Sequence, residues 1–197
     1  MTVLVHICCA HCLLAVLDPL RSQGRALRGL FYNPNIEPFI EFRRRLKAVK
    51  VLAESLDIEI DYDETYPLDA FLSRVVGTGA RRCEICYRDR LTATARHARQ
   101  VGCEAFTTTL LTSGHQKHDL VRRIGEEAAA AEGVTFLYAD WRDRTEAAHD
   151  EAKRRHLYLQ QYCGCLYSEY ERFKDTSTHV YRGPGGESAW TPRGETG

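Results

Sequence analysis

The stretch TVLVHICCAHC (residues 2–12) places three cysteines within five positions, directly after a short apolar run. The run TVLVHI (2–7) has the composition of a strand that is buried on both faces. Ligands bind beyond the carboxyl ends of the strands in parallel sheets. Thiols at this point therefore predict a metal or redox site, provided that the rest of the chain forms such a sheet.

Strand-like and helical segments alternate along the remaining chain. The strand-like segments lie within 26–36, 58–64, 104–113 and 134–140, and helical patterns cover 13–22, 38–56, 83–101 and 116–131. This alternation is typical of βαβ units, whose strands are parallel and whose helices cover both faces of the sheet. The sequence therefore predicts an α/β fold with a doubly wound, mainly parallel sheet of about five strands, Rossmann-like in architecture.

Four motifs follow predicted strands and should meet at one edge of that sheet. They are CCAHC (8–12), YNPNIEP (32–38), TTLLTS (108–113) and Asp140. Because parallel strands direct their carboxyl ends to the same edge, we expect the functional site there.

The length, charge and composition of the chain restrict the class of protein. The chain has 197 residues, with 27 basic and 27 acidic side chains, so any contact with nucleic acid must depend on local patches. We expect one catalytic domain over 1–174 and a flexible tail over 175–197, which is rich in Gly, Pro, Ser and Thr. We find no apolar run of about 18 residues and no signal peptide, so we expect a cytoplasmic protein without a membrane partner.

The cysteines form three groups, and cytosolic thiols stay reduced, so metal or redox chemistry is the favoured interpretation. Cys103 stands alone and is expected in the core. Zinc needs four ligands. Seven grouped thiols exceed that number and indicate an iron–sulfur cluster with either a second metal or a redox thiol pair. The groups are Cys8, Cys9 and Cys12, the CxxC of Cys83 and Cys86, and the CxC of Cys163 and Cys165.

Six motifs, in order and spacing, resemble those of one family, the QueH family of cobalamin-independent epoxyqueuosine reductases. They are HICCAHC (6–12), YNPNIEP (32–38), RRCEICYRDRL (81–91), FTTTLLTSGHQ (106–116), YADWR (138–142) and QYCGC (161–165). The resemblance covers roughly residues 3 to 173. One departure is His11, which stands where that family usually has proline. We interpret it as a tolerated loop change, although an imidazole there would also offer a nitrogen near the site.

The resemblance implies the last step of queuosine synthesis, in which the epoxide oxygen of epoxyqueuosine at the tRNA wobble position is removed. It also implies a [4Fe-4S] cluster, an additional iron ion and a fold similar to adenine nucleotide alpha hydrolases. HICCAHC replaces the phosphate-binding loop of those hydrolases, so ATP is not expected. No G-x-G-x-x-G follows the first strand, so neither a flavin nor a nicotinamide site is expected. The resemblance to a cobalamin-independent family implies that there is no cobalamin site either. Electrons must then come from an external donor.

On this resemblance we assign the cluster to Cys8, Cys9, Cys83 and Cys86. Cys12, Cys163, Cys165 and Asp140 would hold the second iron. Alternatively, Cys163 and Cys165 form a redox-active disulfide that relays electrons. Asp140 is equally compatible with an ordinary strand-end or capping aspartate.

Several polar residues near the predicted edge are substrate candidates, and His6, inside the first strand, is expected to be a core residue. Arginines at 43–45, 81, 82, 88, 90, 154 and 155 are candidate phosphate contacts for tRNA, and those around the CxxC are favoured because they surround the site. Tyr87 and Tyr162 flank cysteines and are either proton donors or packing residues. The substrate candidates are Tyr32, Asn33, Asn35, Thr107, Thr108, Ser113, Gln116, Arg82 and Arg88.

Two other functions remain compatible with the residues alone. A zinc- or iron–sulfur-stabilised RNA-binding module would need only four ligands and no open coordination site. A thiol–disulfide oxidoreductase would use the CxC pair without iron.

Overall fold

A single parallel sheet forms the centre of the computed structural model, which describes residues 1–176. Its order is β3-β2-β1-β4-β5, and every pairing is parallel. This confirms the predicted α/β, doubly wound architecture. The strands are β1 (Thr2–His6), β2 (Ala26–Phe31), β3 (Ile60–Tyr62), β4 (Ala105–Thr108) and β5 (Thr135–Phe136).

Seven α-helices flank the sheet within residues 1–176. Four of them, α1, α2, α4 and α5, match the predicted helical patterns, whereas α3, α6 and α7 were not predicted. They are α1 (Ala10–Ser22), α2 (Phe39–Leu56), α3 (Leu68–Val75), α4 (Arg82–Gln100), α5 (His118–Glu132), α6 (Thr145–Arg154) and α7 (Leu166–Phe173). No helix in this part of the chain is long and apolar enough to cross a bilayer.

The first strand is the centre of the core. Val3, Leu4 and Val5 are at most 1% exposed, because α4 contacts β1 and β4 while α1 contacts β2. Parallel crossovers are right-handed, so the connections through α1 and α5 place these helices on opposite faces of the sheet. A strand covered on both faces is apolar throughout, which explains the run TVLVHI.

The order of the strands creates a crevice between β1 and β4. The chain leaves β1 toward β2 and leaves β4 toward β5, so the two connections diverge in opposite directions. His6 is paired with Leu30 on one side and with Thr108 on the other, so the strands end at one level. This is the position at which doubly wound folds bind their ligands.

Three predicted boundaries were wrong in ways that affect the site. Strand β4 ends at Thr108 and continues as a 3-10 turn (Thr109–Thr112), and β5 ends at Phe136, before Asp140. Helix α1 begins at Ala10, so Cys12 lies in its first turn rather than in a loop. Of the predicted tail over 175–197, residues 177–197 lie outside the described residues.

Candidate metal centre

A cavity of about 540 Å³ opens at the crevice between β1 and β4. Residues that follow both strands form part of its lining, and helices α3, α4 and α7 and the segment before α7 supply most of the remainder. The predicted convergence on one edge of the sheet therefore brings all three cysteine groups to one space. The cysteines that line it are Cys8, Cys12, Cys83, Cys86, Cys163 and Cys165.

The first group, which we term the thiol floor, comprises Cys8, Cys9 and Cys12. Their three sulfur atoms lie within 4.8 Å of one another, and all three residues are buried. The short turn from β1 into α1 produces this spacing, since Cys9 is the extended residue that precedes the helix. The Thr109 hydroxyl, at the end of β4, accepts a hydrogen bond from the Cys8 backbone N–H at 3.1 Å and donates one to the Cys8 sulfur at 3.2 Å.

The thiol floor favours one negative charge. Hydrogen bonds from the Cys8 and Cys9 thiols hold the pKa of Cys12 well below its usual range. Hydrogen bonding with Cys12 in turn raises the pKa of Cys8 to about 12, and burial raises that of Cys9. Without a metal cation, three thiolates cannot coexist in this space.

The CxxC begins α4, as the sequence predicted, since that helix begins at Arg82. Its helical spacing places Cys83 and Cys86 on one face. Burial raises the pKa of both thiols, that of Cys86 to about 12. A helix N-terminus favours thiolate over thiol. Desolvation outweighs that effect here, so a cation is needed to ionise the pair.

The CxC lies in an irregular segment between α6 and α7. We term Tyr162–Cys165 the CxC wall. The Glu37 backbone N–H donates to the Gly164 carbonyl at 2.8 Å, and the Tyr162 hydroxyl donates to the Glu37 carbonyl. Gly164 has a φ of +146°, a conformation that strongly favours glycine. A Cβ there would lie 3.2 Å from Ile36 and 3.3 Å from the Asn35 amide.

A buried arginine anchors this wall from behind. The Arg45 guanidinium donates to the carbonyls of Tyr162 at 2.9 Å and Cys163 at 3.0 Å, and to the Glu41 carboxylate at 2.7 Å. Arg45 was predicted as one of three candidate phosphate contacts at 43–45. This prediction was wrong for Arg45, which is 1% exposed and has its guanidinium bound inside the protein.

Two glutamine amides donate to cysteine sulfurs. Gln116 Nε2 lies 3.2 Å from Cys163 Sγ, and Gln160 Nε2 lies 3.0 Å from Cys9 Sγ. The Tyr87 hydroxyl fixes the first amide by donating to Gln116 Oε1 at 2.7 Å. Gln160 was not predicted, although its place three residues before Cys163 was a usable signal.

Asp140, predicted as an oxygen ligand of the second iron, does not line the cavity. Its carboxylate is half-exposed and binds the Arg142 guanidinium and the Arg142 backbone N–H. Hydrogen bonds from Arg142 lower the Asp140 pKa to about 2. The structure thus places Asp140 in the segment after β5, where its carboxylate accepts hydrogen bonds from Arg142, and outside the lining of the cavity.

The predicted substrate residues divide into two sets. Thr107 and Thr108 belong to the buried strand, where their hydroxyls bind Leu137 and His6, and the Asn33 amide donates to the Ile7 carbonyl. These residues, with Tyr32 and Arg88, do not line the cavity. The remaining candidates do line it, together with residues that the sequence analysis missed, among them Thr109, Thr112 and Gln161. Those candidates are Asn35, Arg82, Ser113 and Gln116.

His6 and His11 occupy different environments. His6 is a core residue, as predicted: its Nε2 donates to the Tyr32 carbonyl at 3.1 Å, and burial lowers its pKa to about 3. His11 lines the cavity, and its Nε2 lies 3.5 Å from Cys12 Sγ. Burial lowers the pKa of His11, but the neighbouring Cys12 thiolate raises it by more.

These donors suit a metal. The thiol floor offers three buried sulfurs at metal-binding separation, and four more cysteines surround the same cavity or its base. All eight cysteines are free thiols, and Cys103 lies in the hydrophobic core, as predicted. Thiolate sulfur is the ligand of both iron–sulfur clusters and structural zinc.

Comparison with known proteins identifies the family. A family model described as "Epoxyqueuosine reductase QueH" matches residues 3–171. The epoxyqueuosine reductase QueH of Dehalococcoides mccartyi is 41% identical over 170 residues, which cover 86% of this chain and 93% of that protein. The protein of the same name from Thermotoga maritima is 35% identical over 182 residues, which cover 87% and 92%. With three cysteine groups around one cavity and a match that spans nearly all of the described residues, the chain belongs to the QueH family of epoxyqueuosine reductases.

Proposed function

We propose that this chain reduces epoxyqueuosine in the tRNA anticodon loop to queuosine. The reaction takes two electrons and two protons, breaks both carbon–oxygen bonds of the epoxide, and yields an alkene and water. The observation that carries the proposal is a cavity at the switch point of the sheet that six of the seven grouped cysteines line, with the seventh, Cys9, within 4.8 Å of Cys8 and Cys12, in a chain that belongs to this family.

The cysteines are proposed to hold a [4Fe-4S] cluster and an additional iron. Cys8, Cys9, Cys83 and Cys86 are the proposed cluster ligands, and Cys12 with the CxC pair would serve the second ion. Asp140 is left out of this ligand set, because its carboxylate is bound by Arg142. When bound, these groups supply single electrons and a Lewis acid for the epoxide oxygen.

The protein itself must bind and orient the modified base. The cavity is within the usual size range for small-molecule sites. Asn35 is 1% exposed, and neither its amide nitrogen nor its amide oxygen has a partner among residues 1–176. An unpaired buried amide at a cavity wall suits hydrogen bonding to the substrate, and Thr112 and Ser113 contribute hydroxyl groups to the same lining.

Two more requirements concern partners. The wobble base must leave its stack to enter the cavity, and Arg82 and Arg172, which line the cavity, are the proposed phosphate contacts. An external one-electron donor must supply the reducing equivalents. A tRNA substrate and free thiols both suit the cytoplasm, which we propose as the compartment.

The decisive experiment combines metal analysis with turnover. Protein purified without oxygen is expected to hold about four or five irons and about four acid-labile sulfides per chain. With dithionite as reductant, it should convert epoxyqueuosine tRNA to a nucleoside lighter by one oxygen, as measured by mass spectrometry of the digested tRNA.

Two variants serve as controls for this experiment. Cys86→Ala should lose both the cluster and turnover, whereas Cys103→Ala should keep both. One zinc and no sulfide in the wild-type protein would contradict the proposal and favour a structural metal module.

A further inference from the structure

Two arginines are buried within residues 1–176, and they differ in their partners. Arg45 has a carboxylate, that of Glu41, at 2.7 Å and two carbonyls at 2.9 and 3.0 Å. Arg90 is 0% exposed, and within the described residues no carboxylate lies close enough to pair with it. Its Nη1 lies 3.4 Å from Asn33 Oδ1, a long hydrogen bond, while its Nε and Nη2 have no partner in that part of the chain.

An isolated buried charge is unusual because it is costly. A guanidinium does not lose its proton in proteins, and a buried charge that is left without a counter-charge is strongly destabilising. Arg90 therefore needs an anion that the side-chain carboxylates do not provide.

The sulfurs around Arg90 are the available source of negative charge. Arg90 lies one helical turn after Cys86 on α4, which places the two side chains on the same helix face. Among the groups that interact electrostatically with its guanidinium, the strongest effects come from Cys86, Cys163 and Cys8, with Tyr87. These three cysteines come from all three groups, so Arg90 is central to the site while remaining behind its lining.

We propose that Arg90 is the buried counter-cation of the cysteine centre, which offsets the negative charge of its metal-bound thiolates and favours its reduction. The proposal rests on the metal centre of the proposed function. Arg90 is a positioning residue in this scheme, because it touches neither substrate nor epoxide. A cation close to an anionic centre stabilises the form that has gained an electron, so Arg90 should raise the reduction potential of that centre.

The test compares Arg90→Met and Arg90→Lys with the wild-type protein and with Arg88→Met as matched control. Arg88 is on the same helix, but it is exposed and paired with Glu84 and Glu127. Each protein is examined metal-free and after anaerobic loading with iron and sulfide. The measurements are the melting temperature of both forms, the iron retained after gel filtration, and the midpoint potential from a dithionite titration followed by electron paramagnetic resonance.

A counter-cation predicts effects that depend on metal loading. Arg90→Met should lower the stability of the loaded protein but not of the metal-free protein, shift the midpoint potential to more negative values, and retain less iron. Arg90→Lys keeps the charge, so its stability, midpoint potential and iron content should lie between those of Arg90→Met and the wild type. Arg88→Met should match the wild type in all three. Equal destabilisation of both forms with an unchanged potential, or a potential in Arg90→Lys as low as in Arg90→Met, would overturn the proposal.

Further variants and a probe keep the test decisive if loading fails. If Arg90→Met takes up no iron, iron retained by Arg90→Lys but lost by Arg90→Gln supports the counter-cation, and equal loss refutes it. If the wild type itself takes up no iron, the proposed function fails. Affinity for Cd²⁺, a thiolate-binding probe, then tests Arg90 separately. Arg90→Met should bind it about tenfold or more weakly, the size expected for one lost buried charge interaction, and equal affinity refutes the role.

Discussion

The thiol floor and the CxC wall both present cysteine side chains to the site, but different kinds of structure hold those cysteines in place. Regular structure fixes the floor: β1 ends at His6, α1 begins at Ala10, and the three sulfurs between and within them are buried. The wall is irregular backbone, and the Arg45 guanidinium and the Glu37 backbone N–H hold it through hydrogen bonds to its carbonyls. The Glu37 carboxylate accepts a further hydrogen bond from the Leu166 backbone N–H, directly after the wall. Backbone topology thus sets one half of the site, and a few distant side chains set the other.

The largest expected difference between the two regions is in metal content. Cys9→Ala should abolish nearly all iron and sulfide, because it removes a proposed cluster ligand from a rigid, buried position. Cys163→Ala should keep about four sulfides and lose about one iron. Iron and acid-labile sulfide assays on anaerobically purified protein measure both.

The control for this pair is Cys103→Ala, which changes a buried cysteine outside the cavity. It should keep the wild-type content. Equal loss of sulfide in Cys9→Ala and Cys163→Ala would contradict the division between floor and wall ligands.

A second test removes the anchor of the wall. Arg45→Met leaves the Glu41 carboxylate buried without its ion-pair partner, so the free energy of unfolding should fall by about 3–5 kcal/mol. Urea denaturation monitored by circular dichroism measures it. Arg44→Met, whose guanidinium stacks over the Tyr158 ring at the surface, is the neighbouring control and should change stability by less than about 1 kcal/mol.

Arg45→Met should also expose the wall, so the Cys163 thiol should react faster with iodoacetamide while the floor thiols remain protected. Faster reaction at the floor would mean that the two regions are not independent.

The smallest effect is expected in the floor itself. His11 is the second residue of α1, where a backbone N–H has no partner within the helix and proline is tolerated. His11→Pro should therefore change the free energy of unfolding by less than about 1 kcal/mol, whereas Ala15→Pro, one turn further along, should cost about 3 kcal/mol. Urea denaturation of both variants is the measurement. Loss of iron from His11→Pro would show that the imidazole near Cys12 is a ligand.

The cysteines of both regions were predicted from the sequence, but the side chains that hold the wall in place were not, for a physical reason. Hydrophobic periodicity and the alternation of strands and helices are local signals, and they place CCAHC and the segment after β4 at one edge of the sheet. The wall depends on Arg45, which is 117 and 118 residues away from the carbonyls it binds. No local pattern distinguishes this arginine from Arg43 and Arg44 beside it.

The errors at strand ends have a related cause. Asp140 and Thr108 were both predicted at the edge of the sheet, but β5 is two residues long and β4 turns into a 3-10 helix after Thr108. A shift of a few residues at a strand end decides whether a side chain faces the cavity or the core. Thr109 and Thr112 consequently replace Thr107 and Thr108 as lining residues.

Helix α4 presents Cys83, Cys86 and Arg90 at intervals of three and four residues, the spacing that a coiled coil uses for its apolar seam. In α4 the corresponding positions hold two thiols and a cation. The two thiols line a cavity instead of packing against a second helix. Successive residues of an α-helix are rotated by about 100° around the helix axis. One residue inserted between Cys86 and Arg90 would therefore carry the guanidinium to a different side of the helix, whereas a whole inserted heptad would restore its direction to within about 20°. The function of this segment thus depends on the spacing of these residues along the helix as well as on their types.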